Sequence, residues 1–151
     1  DLREIKRIKA RVENERLPQG ADRARHLKLG PGGLSDVEWL VQLLQHAHAH
    51  RIPALRTTST LDALEAAREA GLVPDAAAER LRDAWRLASR LRSANTLLSG
   101  QTSDVLPVDR GKLDGIGRLL EYPPRSATLV EEEWLRTARR ARRAFEKLFY
   151  G

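Results

Sequence analysis

Apolar residues recur every three to four positions along most of this chain, the spacing of one face of an α-helix. Leu2, Ile5, Ile8 and Val12 predict an amphipathic helix over residues 1–15, with Lys and Arg between them and Pro18 and Gly20 to end it. A polar loop rich in glycine then runs to Leu34. Ser35 reads as the N-cap of the next helix, with Glu38 completing a capping box. That helix is apolar almost all round, through Val37, Trp39, Leu40, Val41, Leu43 and Leu44, so it belongs at the centre of the fold. It runs to about His50, and Pro53 prevents its continuation.

The second half continues the same pattern. A short helix from about Thr60 to Ala70 ends at Gly71, and Pro74 suits the first turn of a longer one. The longer helix reaches about Leu98, with Leu81, Trp85, Ala88, Leu91, Asn95 and Leu98 on one stripe, and Gly100 closes it. The stretch "GQTSDVLPVDRGK" reads as a loop, followed by a short helix from about Lys112 to Glu121 and a break at Tyr122, Pro123 and Pro124. Ser126 caps the last helix, whose stripe is Val130, Trp134, Ala138, Ala141, Phe145 and Leu148. No segment reads as a strand and no repeat is present. The pattern predicts an all-α fold: a helical bundle of three to four long helices with short connecting helices, forming one helical domain over residues 1–151.

Composition changes this picture little. The chain is 41% hydrophobic, 32% charged and only 5% aromatic, and its wealth of Ala, Leu, Arg and Glu favours helix. Cysteine is absent, which excludes disulfides and thiolate metal sites. No apolar run approaches the ~18 residues of a membrane span, so a cytoplasmic protein with no membrane partner is expected. Methionine is also absent and the chain opens inside a helical pattern, so a fragment of a longer protein is expected. A formal net charge of +6 can attract nucleic acid, nucleotides or an acidic protein.

Candidate chemistry is sparse. Lys28-Leu29-Gly30-Pro31-Gly32-Gly33 has the composition of a phosphate loop, but its lysine precedes the glycines, no strand leads into it, and Pro31 removes an amide. A tight turn is the preferred reading, with Asp36 and Glu38 complementing the helix dipole. His46, His48 and His50 end a helix without the Glu that a zincin motif requires, and no metal site is assigned to them. Asp104 in "SGQTSDVL" lacks the second acid that two-metal phosphoryl chemistry needs, because Leu106 stands in its place. Asn95 reads as a satisfied core polar group. Arg136, Arg139, Arg140, Arg142 and Arg143 predict a cationic face on the last helix, with Glu131, Glu132 and Glu133 at its start. No aromatic residues interleave there for base stacking, which favours a solvated or protein-contacting face over nucleic acid.

One stretch goes further. "HLKLGPGGLSDVEWLVQLLQ" resembles a motif of glutamine synthetase adenylyltransferases: an acid, an aliphatic residue and Lys, a Gly-Gly turn, then Asp-(Ile/Val)-Glu-(Phe/Trp) and Gln. It maps onto Leu27, Lys28, Gly32, Gly33, Asp36, Val37, Glu38, Trp39 and Gln42. "IPALRTTSTLDALEAAREAGLV" and "FEKLFYG" are similar to family segments as well, so the resemblance covers nearly the whole chain. It implies a larger multidomain enzyme with two halves, each a nucleotidyltransferase domain followed by a helical domain. One half transfers AMP from ATP to a tyrosine of glutamine synthetase with Mg²⁺, the other removes it by phosphorolysis, and the PII signalling protein governs the balance. The "SDVEW" form and the C-terminal ending resemble the last helical domain, on the adenylylating side.

The resemblance implies interdomain or cleft contacts for Lys28, Gly32, Gly33, Asp36, Glu38 and Gln42. The partners it implies are the chain's own nucleotidyltransferase domain, glutamine synthetase and PII. The family's acid is replaced by His26, and the catalytic aspartates lie in the preceding domain, so no catalytic residue is expected here. The competing expectation is a non-enzymatic basic helical module that binds nucleic acid or a regulatory protein.

Overall fold

The computed structural model describes residues 1–17 and 22–151. Among them are six α-helices: α1 (Leu2–Arg16), α2 (Leu34–His48), α3 (Thr60–Glu69), α4 (Asp75–Ser99), α5 (Arg110–Leu119) and α6 (Ala127–Phe149). Single 3-10 turns at Arg23–Arg25 and Pro53–Leu55 lie in stretches expected as loop. No strand forms among the described residues, and a lone antiparallel bridge pairs His26 with Val105. The all-α expectation holds, with four longer and two shorter helices.

Local chemistry sets the helix ends. Gly71 and Gly100 both take positive φ (77° and 73°), which closes α3 and α4 as their sequence position predicted. α5 starts two residues earlier than expected, because the Asp109 side chain accepts the Lys112 N–H at 2.9 Å. Pro74 occupies the N-cap of α4 rather than its first turn. The expected Pro18 and Gly20 stop of α1 lies outside the described residues.

Two capping expectations are corrected. Ser35 does not cap α2. The Leu34 and Ser35 amides bond back to the Leu27 and Lys28 carbonyls (3.0 and 2.8 Å), which draws the chain into helix one residue early and leaves Gly33 as the N-cap. Glu38 is therefore outside the box, and Asp36 reaches back instead, accepting the Gly32 N–H at 2.7 Å. Ser126 does precede α6, but its hydroxyl donates to the Pro123 carbonyl. The Ala127 amide is satisfied from another helix, by Asp114 of α5 at 2.9 Å.

The two longest helices, α4 and α6, pack along each other and form the spine. Two apolar clusters sit along it. One joins α2, α3, the first half of α4 and the last half of α6, around Leu40, Leu64, Leu81 and Phe145. The other joins α5 to the remaining halves, around Leu91, Leu113, Ile116 and Trp134. Trp85 packs against both. Trp134 is fully buried and donates its indole N–H to the Ala24 carbonyl at 2.9 Å, so the turn before the glycine loop is anchored on α6.

Not every stripe faces inward. On α1, Leu2 and Ile8 stay 39% and 42% exposed, and the buried residue is Lys9. α1 meets α2 along one flank only, so part of its apolar face has no cover among the described residues. On α4, Leu98 is 51% exposed past the end of the second cluster.

Candidate functional site

The glycine loop is held by a dense set of its own hydrogen bonds. His26 accepts the Leu29 amide on Nδ1 at 2.9 Å, and its carbonyl takes the Gly30 N–H at 2.9 Å. Gly33 bonds to the Gly30 carbonyl, and Gly32 to Asp36. The amides of Gly30, Gly32, Gly33, Leu34, Ser35 and Asp36 are thus all spent inside the protein. None is left to cradle a phosphate, so the turn expected from residue order is what forms.

Close packing accounts for all three glycines, and a β-carbon on Gly33 would lie 2.6 Å from the Leu27 carbonyl oxygen. Gly32 has φ +77°, and a β-carbon on it would lie 2.1 Å from the Ala138 carbonyl oxygen of α6. On Gly30 it would lie 2.1 Å from the Arg23 carbonyl oxygen. The loop is a seat for helix backbone.

Asp36, the motif's first acid, is 1% exposed and holds together a cluster that no sequence pattern announced. Lys9 of α1 reaches its Oδ1 at 2.9 Å, and Arg142 of α6 reaches its Oδ2 at 3.1 Å. Glu13 bridges the same two cations, 3.2 Å from Lys9 and hydrogen-bonded to Arg142. The Phe145 ring lies beneath both, 5.5 Å from the Lys9 ammonium and 5.1 Å from the Arg142 guanidinium. Burial would raise the Glu13 carboxyl, but the Arg142 hydrogen bond and the charges of Lys9 and Arg142 outweigh it and hold it below the usual range. Burial opposes the charge on Arg142, yet its hydrogen bond to Glu13 and the nearby Asp36 charge raise its pKa. Removing one member of so buried a set strands opposite charge in a poor solvent.

The motif therefore divides. Gly32, Gly33 and Asp36 are buried and hold α1, α2 and α6 together. Lys28 and Gln42 are exposed and Glu38 is half-buried. Glu38 and Gln42 share the outer face of α2 at one-turn spacing, and Lys28 is tied beside the helix start through its own carbonyl. None of these three side chains has a partner among the described residues. Asp36 faces inward, apart from these three side chains.

The loop after α4 lies against this surface. Leu27 N–H donates to the Asp104 carbonyl at 2.7 Å, and Leu106 N–H to the Arg25 carbonyl at 2.8 Å. The Asp104 carboxylate is paired with Arg92 at 2.6 Å. Burial lowers the pKa of the neighbouring His26; Asp104 opposes that shift, while Lys28 and Arg92 add to it. Asp104 is thus an ion-pair member, and Asn95 bonds to the Val105 carbonyl as a core polar group. His48 accepts from Arg51 at 2.8 Å, and the described residues contain no group of three or more His, Cys, Asp or Glu arranged to hold a metal.

Four of the five arginines expected on the cationic face of α6, Arg136, Arg139, Arg140 and Arg143, are exposed and fall within about 100° of arc, with Arg142 at the edge of the set. Arg142 turns into the buried cluster, and Arg139 and Arg143 rim a hollow of about 310 Å³ with Pro31 and Leu135. Arg136 and Arg140 face α4.

A family model described as GlnD PII-uridylyltransferase matches residues 6–149. The chain belongs to that family. Curated relatives within it carry the description bifunctional glutamine synthetase adenylyltransferase/adenylyl-removing enzyme. The chain is 64% identical to the one from Leifsonia xyli subsp. xyli over 99% of its length, 53% to that of Streptomyces coelicolor over 99%, and 48% to that of Cutibacterium acnes over 99%. In each case it spans 15% of the relative's length. The resemblance carried by the Lys28–Gln42 motif is borne out by these identities. No helix of the described residues is long and apolar enough to cross a membrane.

Proposed function

We propose that this chain is the C-terminal helical domain of the adenylylating half of a bifunctional glutamine synthetase adenylyltransferase. In this reading residues 1–151 form one domain of a larger enzyme, which transfers AMP from ATP to a tyrosine of glutamine synthetase and removes it by phosphorolysis. The relatives' names support the activity, and the share of their length that the chain spans supports its being a part.

The observation that carries the site is the division of the motif. Its buried half is explained by packing, but Lys28, Glu38 and Gln42 have no packing role and no partner among the described residues. They form a polar strip that fits a seam with the nucleotidyltransferase domain. At such a seam Lys28 meets a phosphate or a carboxylate, while Glu38 and Gln42 supply an acceptor and an amide.

ATP and Mg²⁺ belong to the whole enzyme. The acids here do not suit the metal, since Asp36 is committed to Lys9 and Arg142 and Asp104 to Arg92. Glutamine synthetase and PII are partners of the complete protein, in the cytoplasm.

Lys28→Ala and Glu38→Gln in the full-length enzyme test the seam. Both residues lie outside the core, so unfolding should be unchanged while the kcat/KM for adenylylation falls about tenfold or more. Unchanged adenylylation with unchanged stability would remove the functional role.

A further inference from the structure

The face where α4 and α6 run side by side carries a charge pattern that neither the core nor the motif explains. Two hollows of about 240 and 360 Å³ share Asp83, Thr137 and Arg140, so they form one continuous groove. Arg80, Arg86 and Arg90 line it from α4, and Arg136 and Arg140 from α6. All five are exposed, and among the described residues none is ion-paired. By contrast Arg82, the neighbour of Arg80 and Arg86 on α4, lies 3.8 Å from Glu65, and Arg92 holds Asp104 at 2.6 Å. Glu79, Asp83 and Glu133 lie within the groove, at helical spacings that would permit pairing, yet they leave the five cations free. Glu133 instead accepts the Tyr122 hydroxyl.

We propose that this groove docks a short acidic segment of a protein partner. The span from Arg80 to Arg90 is about 15 Å of helix, which matches about five residues of extended chain. Alternate side chains of such a segment point to one side, so two or three carboxylates at every second position would meet arginines from both helices. Glu79 and Asp83 sit between the cations, where they accept N–H and O–H donors from the same segment. A phosphate backbone offers only acceptors and would be repelled at those two places. No aromatic side chain lines the groove to stack a base. Helices packed about 8–10 Å apart leave a furrow that fits one strand of polypeptide rather than the convex face of a duplex.

The test is fluorescence anisotropy with this chain, at several salt concentrations. The probes are a labelled peptide with glutamate at alternate positions and an oligodeoxythymidine of the same formal charge. The peptide should bind more tightly than the oligonucleotide, and its affinity should fall as salt rises. Combined replacement of Arg86, Arg90, Arg136 and Arg140 by Ala should weaken peptide binding at least about fourfold, four exposed charge contacts at the low end of their usual worth. The same positions changed to Lys should retain most of the binding, and circular dichroism confirms helix content in both variants. Replacing Arg7, Arg11 and Arg118, which lie outside the groove, should leave binding unchanged. The proposal is overturned if the oligonucleotide binds better, if the groove and control variants weaken the peptide equally, or if the peptide does not bind.

Discussion

Three glycines of this protein share a left-handed backbone but differ in what surrounds them, and that difference makes a quantitative test. Gly32, Gly71 and Gly100 have φ of 77°, 77° and 73°. A β-carbon at Gly71 or Gly100 would meet nothing within 4 Å, whereas at Gly32 it would lie 2.1 Å from the Ala138 oxygen and 2.7 Å from that residue's Cα. An Ala at any of the three pays the left-handed penalty, about 1–2 kcal/mol. At Gly32 it must also displace backbone of α6, and overpacking of this kind costs about 1–3 kcal/mol more. Gly71→Ala and Gly100→Ala should therefore lose about 1–2 kcal/mol and Gly32→Ala about 2–5 kcal/mol, a large part of a typical net stability of about 5–15 kcal/mol. Urea unfolding measures all three, and the Tm should fall by about 2–4 °C per kcal/mol for a chain of this size. If Gly32→Ala costs no more than Gly100→Ala, the loop is not seated against α6 and the account of its glycines is wrong.

The buried charge cluster predicts that Asp36→Ala destabilises by about 3–5 kcal/mol, because Lys9 and Arg142 lose their shared acceptor. Glu146→Ala, which removes a 54% exposed partner of Arg142, should cost under about 1 kcal/mol by the same urea measurement. Similar losses for the two would remove the distinction between buried and surface charge. His26 makes stability depend on pH. Its folded pKa lies below the usual 6.5, so the unfolded chain takes the proton first. The stability it contributes is fully present above pH 6.5 and is lost as pH falls through the folded value. Melting curves across this range should show the loss in the wild type and a flatter profile in His26→Gln. The loss below the usual 4.5 of Glu13 and Glu131, both held low by arginines, should persist in that variant.

Most of the secondary structure was legible because it rests on local rules. The stripe from Val130 to Phe145 and the stop at Gly100 follow from side-chain spacing and from backbone freedom, and neither depends on a distant partner. The cap at Ser35 misled for the opposite reason. Its geometry was decided by backbone bonds from Leu34 and Ser35 to Leu27 and Lys28, which no local pattern reports. The candidate site was legible only as a motif. Lys28, Gly32, Gly33, Asp36, Glu38 and Gln42 could be picked out together, but not divided into a packed half and an outward half.

Residue order alone was enough for an all-α chain, the approximate bounds of its helices, and a family motif at the entry to its central helix. Tertiary structure decided the rest: that Asp36 is bound to Lys9 and Arg142, that Gly32 is a contact point on Ala138, and that Arg142 parts from Arg136 and Arg140. Helical periodicity states which residues share a face, but not what that face meets. A lysine in an amphipathic pattern reads as solvated, and Lys9 is buried only because α2 and α6 bring it a carboxylate and an aromatic ring. Charge pairing over long sequence separations is a property of how helices are placed in space, and it becomes visible only once they are.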